Sequence, residues 1–595
     1  MSPKKYPYNQ TTWSVVDLFK TGSEKELNDT FEQLAKMVSS FEKARENLQP
    51  NLDEKVFNRY LDDQEAISRI EHRLFAYANL KFTENTQNQA AQSLMMRIQQ
   101  LGAEISNQVL FFSLWWKALD DEAANRLMAS SGDRRYFLEE MRHFKKYTLS
   151  EPEEKIINIK DVTGSSAFGM LYDSITNRYS FKLTIDGQEK EMTRGEISVY
   201  VRHPDPEIRA NAYRELYRVF GNDGPILGQI YQNLARDWRN ENISLRGFSS
   251  PMSVRNLAND ITDQVVDMIL DVCQKNAGIF HRYFRLKARW LGVEKLRRYD
   301  IYAPTSQAEK SFTFEEAIEL VMDSFNQFDP KVKELALKVF TSGHIDSEVR
   351  KGKQSGAFCL TALPDLTPWV LLNYQGQPSD VATMAHELGH AVHSMLAAGH
   401  SIFTAHPSLP LAETASTFGE MILVNRLLQE EPDEAVRREL LFRQVDDAFA
   451  TILRQAFFAL FEREAHELVL KGASVDEISD AYFRNLEKEF GDSLELSEDF
   501  RWEWVSIPHI YHVPFYVYAY SFGQLLVFSL YSQYQAEGDS FKTRYFKLLS
   551  AGGSQSPAEI LKDAGIDFHQ EAFWQGGFDV IEKLVAQLEA LPIKR

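Results

Sequence analysis

Residues 384–393 read MAHELGHAVH. This stretch sets two histidines four residues apart in apolar surroundings. Four residues advance about 400° around an α-helix and about 6 Å along it, so His386 and His390 project from one side, one turn apart, and can share one cation. Imidazole suits zinc as a ligand. Glu387 projects about 100° away from His386, beside such a cation rather than on it, where a carboxylate can take a proton from activated water. The neighbours Met384, Ala385, Leu388, Ala391 and Val392 are apolar. A His-Glu-His set buried among them needs partners, because unpaired buried polar groups are costly. Residues 465–470, AHELVL, repeat the first four residues of the pattern but place Leu470 where the second histidine would stand. They cannot chelate, and with Glu462, Glu464 and Glu467 nearby they read as a solvated helix face.

Working outward, Ser379 and Asp380 predict the helix start, as N-cap and first-turn acid, and Gly399 the stop after Ala398. Upstream, residues 355–361 (SGAFCLT) and 368–374 (PWVLLNY) are short, apolar and bounded by Gly or Pro, which predicts two strands of a small sheet. Downstream, residues 409–428 (LPLAETASTFGEMILVNRLL) read as a second helix, on which Glu413 and Glu420 are two turns apart and share a face. A catalytic zinc needs a third protein ligand and an open position. Spacing leaves Glu413 and Glu420 equally eligible, one as ligand and the other as the carboxylate that orients a ligand histidine.

The remainder is predominantly helical in pattern. Apolar residues recur every three to four positions over residues 24–48, 53–78, 86–128 and 136–149. Residues 181–193 (FKLTIDGQEKEMT) alternate on either side of Asp186-Gly187, a hairpin signal. The hairpin marks a boundary between an N-terminal helical region, 1–190, and a remainder, 191–595. Ser556, Pro557 and Glu559 form a capping box with proline at the first helical position.

The chain has 595 residues, 44% hydrophobic and 25% charged, which fits a globular protein of several domains. A formal net charge of −19 and a pI near 5.3 disfavour a nucleic-acid partner. The most basic run, 282–298, interleaves apolar residues at helical spacing and reads as a solvated face. Two cysteines, Cys273 and Cys359, suit a reducing compartment. The first residues lack an apolar signal-peptide core, and no run of about 18 apolar residues predicts a membrane span. A cytoplasmic protein without membrane or nucleic-acid partners is expected.

HELGHAVH followed by LAETASTFGE resembles the oligoendopeptidase F branch of the thimet oligopeptidase family of zinc peptidases. Residues 298–304 (RYDIYAP), 368–374, 507–523 (IPHIYHVPFYVYAYSFG) and 551–567 (AGGSQSPAEILKDAGID) carry the resemblance further, so that motifs span roughly 200–590. The resemblance implies a mainly α, two-lobed, zincin-like metallopeptidase fold, with a small β-sheet beside the active-site helix and a deep central substrate channel. It implies one zinc ion per chain, held by His386, His390 and Glu413, with Glu420 orienting a ligand histidine and Glu387 as general base. The family places a histidine and tyrosines across the cleft as donors to the oxyanion. Here these are His509, Tyr516 and Tyr520, with His512 and Tyr518 as alternatives. The strand segment at Gly356, Ala357 and Phe358 is implied to grip the substrate backbone. The expected substrates are short unfolded peptides cut at internal bonds. A helical zinc carboxypeptidase and a non-catalytic peptide-binding scaffold are the alternative classes. Oligomeric state, cleavage preference and the choice of zinc over cobalt or manganese are not specified by these motifs.

Overall fold

The computed structural model describes residues 6–305 and 311–593. It is mainly α-helical, as expected, and among the described residues its strands form three small sheets of two, two and three strands. Local chemistry sets many boundaries. Asp53 accepts from the Lys55 and Val56 amides at 2.9 and 3.2 Å and opens the helix Glu54–Glu84, a capping arrangement. The pattern over 86–128 resolves into two helices, Gln89–Ala118 and Asp121–Ser130, because Asp120 caps the second through the Ala123 amide at 2.8 Å. Strands Phe181–Ile185 and Gln188–Met192 pair antiparallel across Asp186 and Gly187, both with positive φ, as a two-residue hairpin turn requires. Ser556 accepts from the Glu559 amide at 3.1 Å and caps Pro557–Asp563.

The chain separates into two compact units assembled from interleaved segments. The first comprises Met1–Thr148, Lys310–Glu430 and Gln533–Asp567, and the second Leu149–Glu309, Glu431–Ser532 and Phe568–Arg595.

In the first unit the helices Glu24–Glu42, Glu54–Glu84 and Gln89–Ala118 pack around Phe41, Phe57, Phe112 and Trp116, all buried. Trp369 and Leu371 of a three-stranded sheet enter the same core, with Phe358 and Leu360 packed against it. In that sheet Trp369–Leu371 is central, parallel to Ile345–Asp346 and antiparallel to Phe358–Leu360. Fully buried Asp346 is paired with Lys353 at 2.7 Å and Arg350 at 2.6 Å, which ties down the loop before the edge strand. The strands are shorter than the apolar runs 355–361 and 368–374, because Gly356 turns the chain at φ +84 before Phe358.

The second unit corrects the reading of residues 282–298 as a solvated face. Arg282 and Arg285 reach surface acids, but Lys287 is fully buried against Asp446 at 2.7 Å and Arg298 against Glu503 at 2.9 Å, each of that second pair 1% exposed. Glu503 also accepts from Tyr217 and Tyr482 at 3.1 and 2.9 Å. Each basic group is paired and hydrogen-bonded, the condition for burying a charge; burial lowers Lys287 against the pull of Asp446, whereas Glu503 outweighs burial at Arg298 and raises it.

Candidate active site

The HELGH segment lies on the helix Pro378–Leu396. The helix opens two residues earlier than Ser379 would have placed it: Gln377 is the N-cap and Pro378 the first helical residue. Asp380 Oδ2 accepts from the Gln377 and Gln375 amides at 3.0 and 2.8 Å. Gly399 lies beyond the C-cap Ala397 and does not end the helix.

Residues 409–428 do not form one helix. A turn at Leu409–Ala412 and a helix at Ser416–Glu430 are separated by residues 413–415, so Glu413 stands in the break and Glu420 on the helix. The cause is tertiary. A Cβ on Gly389 would meet Ala415 O and Ser416 Cα at 2.6 Å each, and one on Gly419 would meet Ala385 O at 3.1 Å. The two helices approach backbone to backbone at these glycines, and the chain bends at 413–415 as it enters the approach.

The break lets the two glutamates reach His386 from opposite sides of its ring. Glu413 Oε2 lies 3.3 Å from His386 Nε2 and 3.4 Å from His390 Nε2, while Glu420 Oε1 lies 2.9 Å from His386 Nδ1. The imidazole rings of His386 and His390 have centroids 4.8 Å apart and are nearly perpendicular. One ligand atom from each of His386, His390 and Glu413 falls within 4.8 Å of the others. Donors about 2.0–2.1 Å from a tetrahedral zinc are separated by about 3.3 Å, so the two measured N···O distances fit such an ion. Ser416 Oγ donates to Glu413 Oε2 at 2.7 Å and fixes the carboxylate. Neither Ser416 nor Gly389 was singled out by motif; the close approach that gives them their places joins segments distant in sequence.

The electrostatics follow from burial and this bracket of carboxylates. Burial works against a charged His386, but Glu413 and Glu420 prevail and lift it to about 10. Burial outweighs Glu413 at His390 and, with His386 beside it, holds that ring down at about 4. Burial pushes Glu413 upward, yet His386, His390 and Ser416 hold it at about 2. Burial, opposed by His386 and reinforced by Glu413 and Glu420, lifts the Glu387 carboxyl to about 7. A carboxylate poised near neutrality is suited to receive and return a proton.

His386, Glu387 and His390 line a cavity of about 540 Å³ together with Ala357, Phe358 and Cys359. Gly356 sits just before the edge strand, its carbonyl accepting from Asn373 Nδ2 at 2.8 Å. His393 and His406 line the same cavity. His393 extends the stripe of His386 and His390 by one more turn, a periodicity the sequence already contains; burial holds it down at about 3.

Within the second unit, His509, Tyr516 and Tyr520 form one cluster. His509 Nε2 and Tyr520 OH are 3.4 Å apart, and the centroids of Tyr516 and Tyr520 are separated by 5.2 Å. Tyr518 is fully buried and accepts from Asn259 Nδ2 at 2.8 Å. His512 is paired with Asp173 at 2.9 Å. The turn before Tyr516 holds Phe515 at φ +58, its amide donating to Glu462 Oε1 at 2.9 Å. Glu462 and His466 are therefore not on a solvated face. They are 0% and 2% exposed, covered by the Phe515 turn, and burial raises Glu462 to about 8.

Residues 199–580 match the family model of Peptidase family M3, and residues 115–181 that of Oligopeptidase F. The chain is 25% identical to Oligopeptidase PepF of Bacillus subtilis (strain 168) over 98% of its own length and 88% of that protein's. It is 27% identical to Group B oligopeptidase PepB of Streptococcus agalactiae, covering 89% of each. A crystal structure from Chlamydophila abortus matches with a TM-score of 0.86 at 26% identity, over 98% of each chain. The crystal structure of oligoendopeptidase-F from Enterococcus faecium shares the fold, with a TM-score of 0.72 at 24% identity over 95% of this chain and 98% of that one. One family model thus takes in the HELGH helix, the Glu413 turn and the His509–Tyr520 segment together, and on that match the chain belongs to peptidase family M3, in its oligoendopeptidase F branch, and is a metalloendopeptidase.

Proposed function

We propose that this metalloendopeptidase is a zinc-dependent oligoendopeptidase that hydrolyses internal bonds of short, unfolded peptides. The observation that carries the reading is the position of Glu413 Oε2, 3.3 and 3.4 Å from the two Nε2 atoms of His386 and His390. These three residues would hold one zinc ion per chain. When bound, the ion supplies Lewis acidity toward a peptide carbonyl and toward water. Glu420 accepts from His386 Nδ1, which orients the ring so that Nε2, on losing its proton, would be the ligating nitrogen.

Glu387 takes the proton of the attacking water and returns it to the amide nitrogen as the C–N bond breaks. His509, Tyr516 and Tyr520 donate hydrogen bonds to the oxyanion. That role rests on the family resemblance and is supported by the grouping of these three, while His512 and Tyr518 are engaged elsewhere. Beginning at Gly356 and Ala357, the edge strand Phe358–Leu360 offers its backbone to an extended peptide, a grip indifferent to side chains. Short peptides are inferred from relatives named as oligopeptidases. The two family models, ending at 181 and starting at 199, support an N-terminal region 1–190 and a catalytic region 191–595. A cytoplasmic location accords with two free cysteines. Among the described residues no helix is long and apolar enough to cross a membrane.

The test is turnover of an internally quenched peptide with a blocked C-terminus, followed by mass spectrometry. Glu387→Gln should lower the rate about 10²–10⁴-fold while elemental analysis still finds one zinc per chain, and His386→Ala should lose the metal. Equal turnover by Glu387→Gln with zinc bound, or products cut only at the termini, would sink the proposal. Reconstitution of chelated enzyme with zinc, cobalt or manganese tests the metal separately.

A further inference from the structure

We propose that an apolar pocket in the first unit is a subsite for one large aliphatic or aromatic side chain of the substrate, and that Gly102 keeps it open. The proposal rests on the endopeptidase reading above. The pocket has a volume of about 520 Å³ and is lined by Leu34, Leu74, Phe75, Ile98, Ile105 and Leu360. It adjoins the metal-site cavity directly: Leu360, Thr361 and His406 line both. Phe75 is 44% exposed there, a large apolar surface that an apolar guest would cover.

The edge strand between the two cavities gives the subsite its address. Side chains alternate along a strand. Phe358 and Leu360 pack toward the core of the N-terminal helices, and Cys359 points the other way, where the charge of Glu387 bears on it. Residues directly opposite one another on paired strands share a face. A peptide paired with this edge therefore sends the side chain opposite Leu360 toward the apolar pocket, and its sequence neighbours toward the metal-site face.

Gly102 is the second observation. It lies within the helix Gln89–Ala118 and lines the pocket. Glycine is the poorest helix former after proline. Gly102 has no positive φ, and a Cβ there would meet nothing within 4 Å. Neither conformation nor close packing calls for glycine, and the missing side chain leaves room in the pocket. A hydrophobic guest is the occupant that this lining fits; among the described residues that line the pocket, Glu71, His72 and His406 are ionisable, and of these Glu71 alone could neutralise a basic guest.

The experiment scans Leu, Phe, Ala and Arg through each position flanking the cleaved bond of a host peptide. One position should prefer Leu or Phe over Ala by about tenfold or more in kcat/KM. Gly102→Leu should erase most of that ratio. Gly278→Leu, at an exposed helical glycine of the second unit with equally open surroundings, should leave it unchanged. Binding of the same peptides to the Glu387→Gln chain, with and without Gly102→Leu, is measured in parallel. If no peptide is cleaved, the endopeptidase reading fails, yet apolar-selective binding lost on Gly102→Leu still supports the subsite. A ratio unaffected by Gly102→Leu, no apolar preference at any position, or an arginine preference abolished by Glu71→Gln each overturns it.

Discussion

Replacing Glu420 by glutamine removes one of the two carboxylates that bracket His386, and the consequence should appear as a change in how metal uptake depends on pH. In the unaltered chain Glu420 and Glu413 approach Nδ1 and Nε2 at 2.9 and 3.3 Å and lift the imidazole to about 10. A metal ion can use Nε2 only when that nitrogen is free of its proton. His390, near 4, and Glu413, near 2, already stand in their ligating forms at neutral pH. Below pH 10 the ligands therefore release one proton per metal, that of His386. Above pH 8, where Glu387 with its value near 7 is already ionised, the apparent dissociation constant should fall about tenfold per pH unit up to pH 9.5. In Glu420→Gln the amide oxygen still accepts from Nδ1, but the charge is gone. His386 holds its proton less tightly, so the slope flattens at a lower pH. The intrinsic affinity should drop about 10- to 100-fold, as is usual when the outer partner of a metal-ligating histidine is removed. Competition against a chelator of known affinity between pH 6.5 and 9.5, with proton release from calorimetry in two buffers, measures both quantities. Equal affinity and equal proton release in the two proteins would refute the bracket as the source of the effect.

Three further outcomes follow from particular contacts. Gly389→Ala places a methyl 2.6 Å from Ala415 O and Ser416 Cα and should cost about 1–3 kcal/mol in urea unfolding, with weakened metal retention because Glu413 is displaced. Glu462→Ala leaves the Phe515 amide without its acceptor and should cost about 1–3 kcal/mol, whereas Glu462→Gln keeps an acceptor. Glu462 binds its proton more tightly folded (about 8) than unfolded (4.5). Its contribution to stability is thus full below pH 4.5 and is lost as pH rises through 8, so the unaltered chain should lose stability over that window relative to Glu462→Gln. Tyr518→Phe removes the acceptor of Asn259 and should lower stability by about 1 kcal/mol with little change in kcat. Tyr520→Phe should do the reverse, lowering kcat about 10- to 100-fold with melting unchanged.

Local signals carried a good part of this architecture. The spacing of His386 and His390, the alternation around Asp186-Gly187 and the capping residue Ser556 are each decided within a few residues of chain, and each appears in the fold. What escaped the sequence depends on what another segment brings up. The break at Glu413 is imposed by Gly389, more than twenty residues earlier, through a backbone contact that no periodicity records. Glu462 and His466 look solvated until the turn at Phe515 covers them. Lys287 and Arg298 read as surface charge until Asp446 and Glu503 are placed against them. In each case the missing information is the identity of the partner, and polar residues, whose burial is conditional on a partner, are where a one-dimensional reading is weakest.

The glycine pair at the crossing of the two site helices has a consequence for metal choice. With Gly389 against Ala415 and Ser416, and Gly419 against Ala385, the gap between the histidine pair and Glu413 is set by main chain meeting main chain, like the jaws of a calliper closed on a fixed stop. At Gly389 the nearest atoms are all main chain, while at Gly419 the Phe325 ring lies beside the Ala385 carbonyl. The bite of the site should therefore be insensitive to redesign of apolar residues other than Phe325 and sensitive to ionic radius, so that altering metal preference in this scaffold would mean changing Gly389 rather than a ligand.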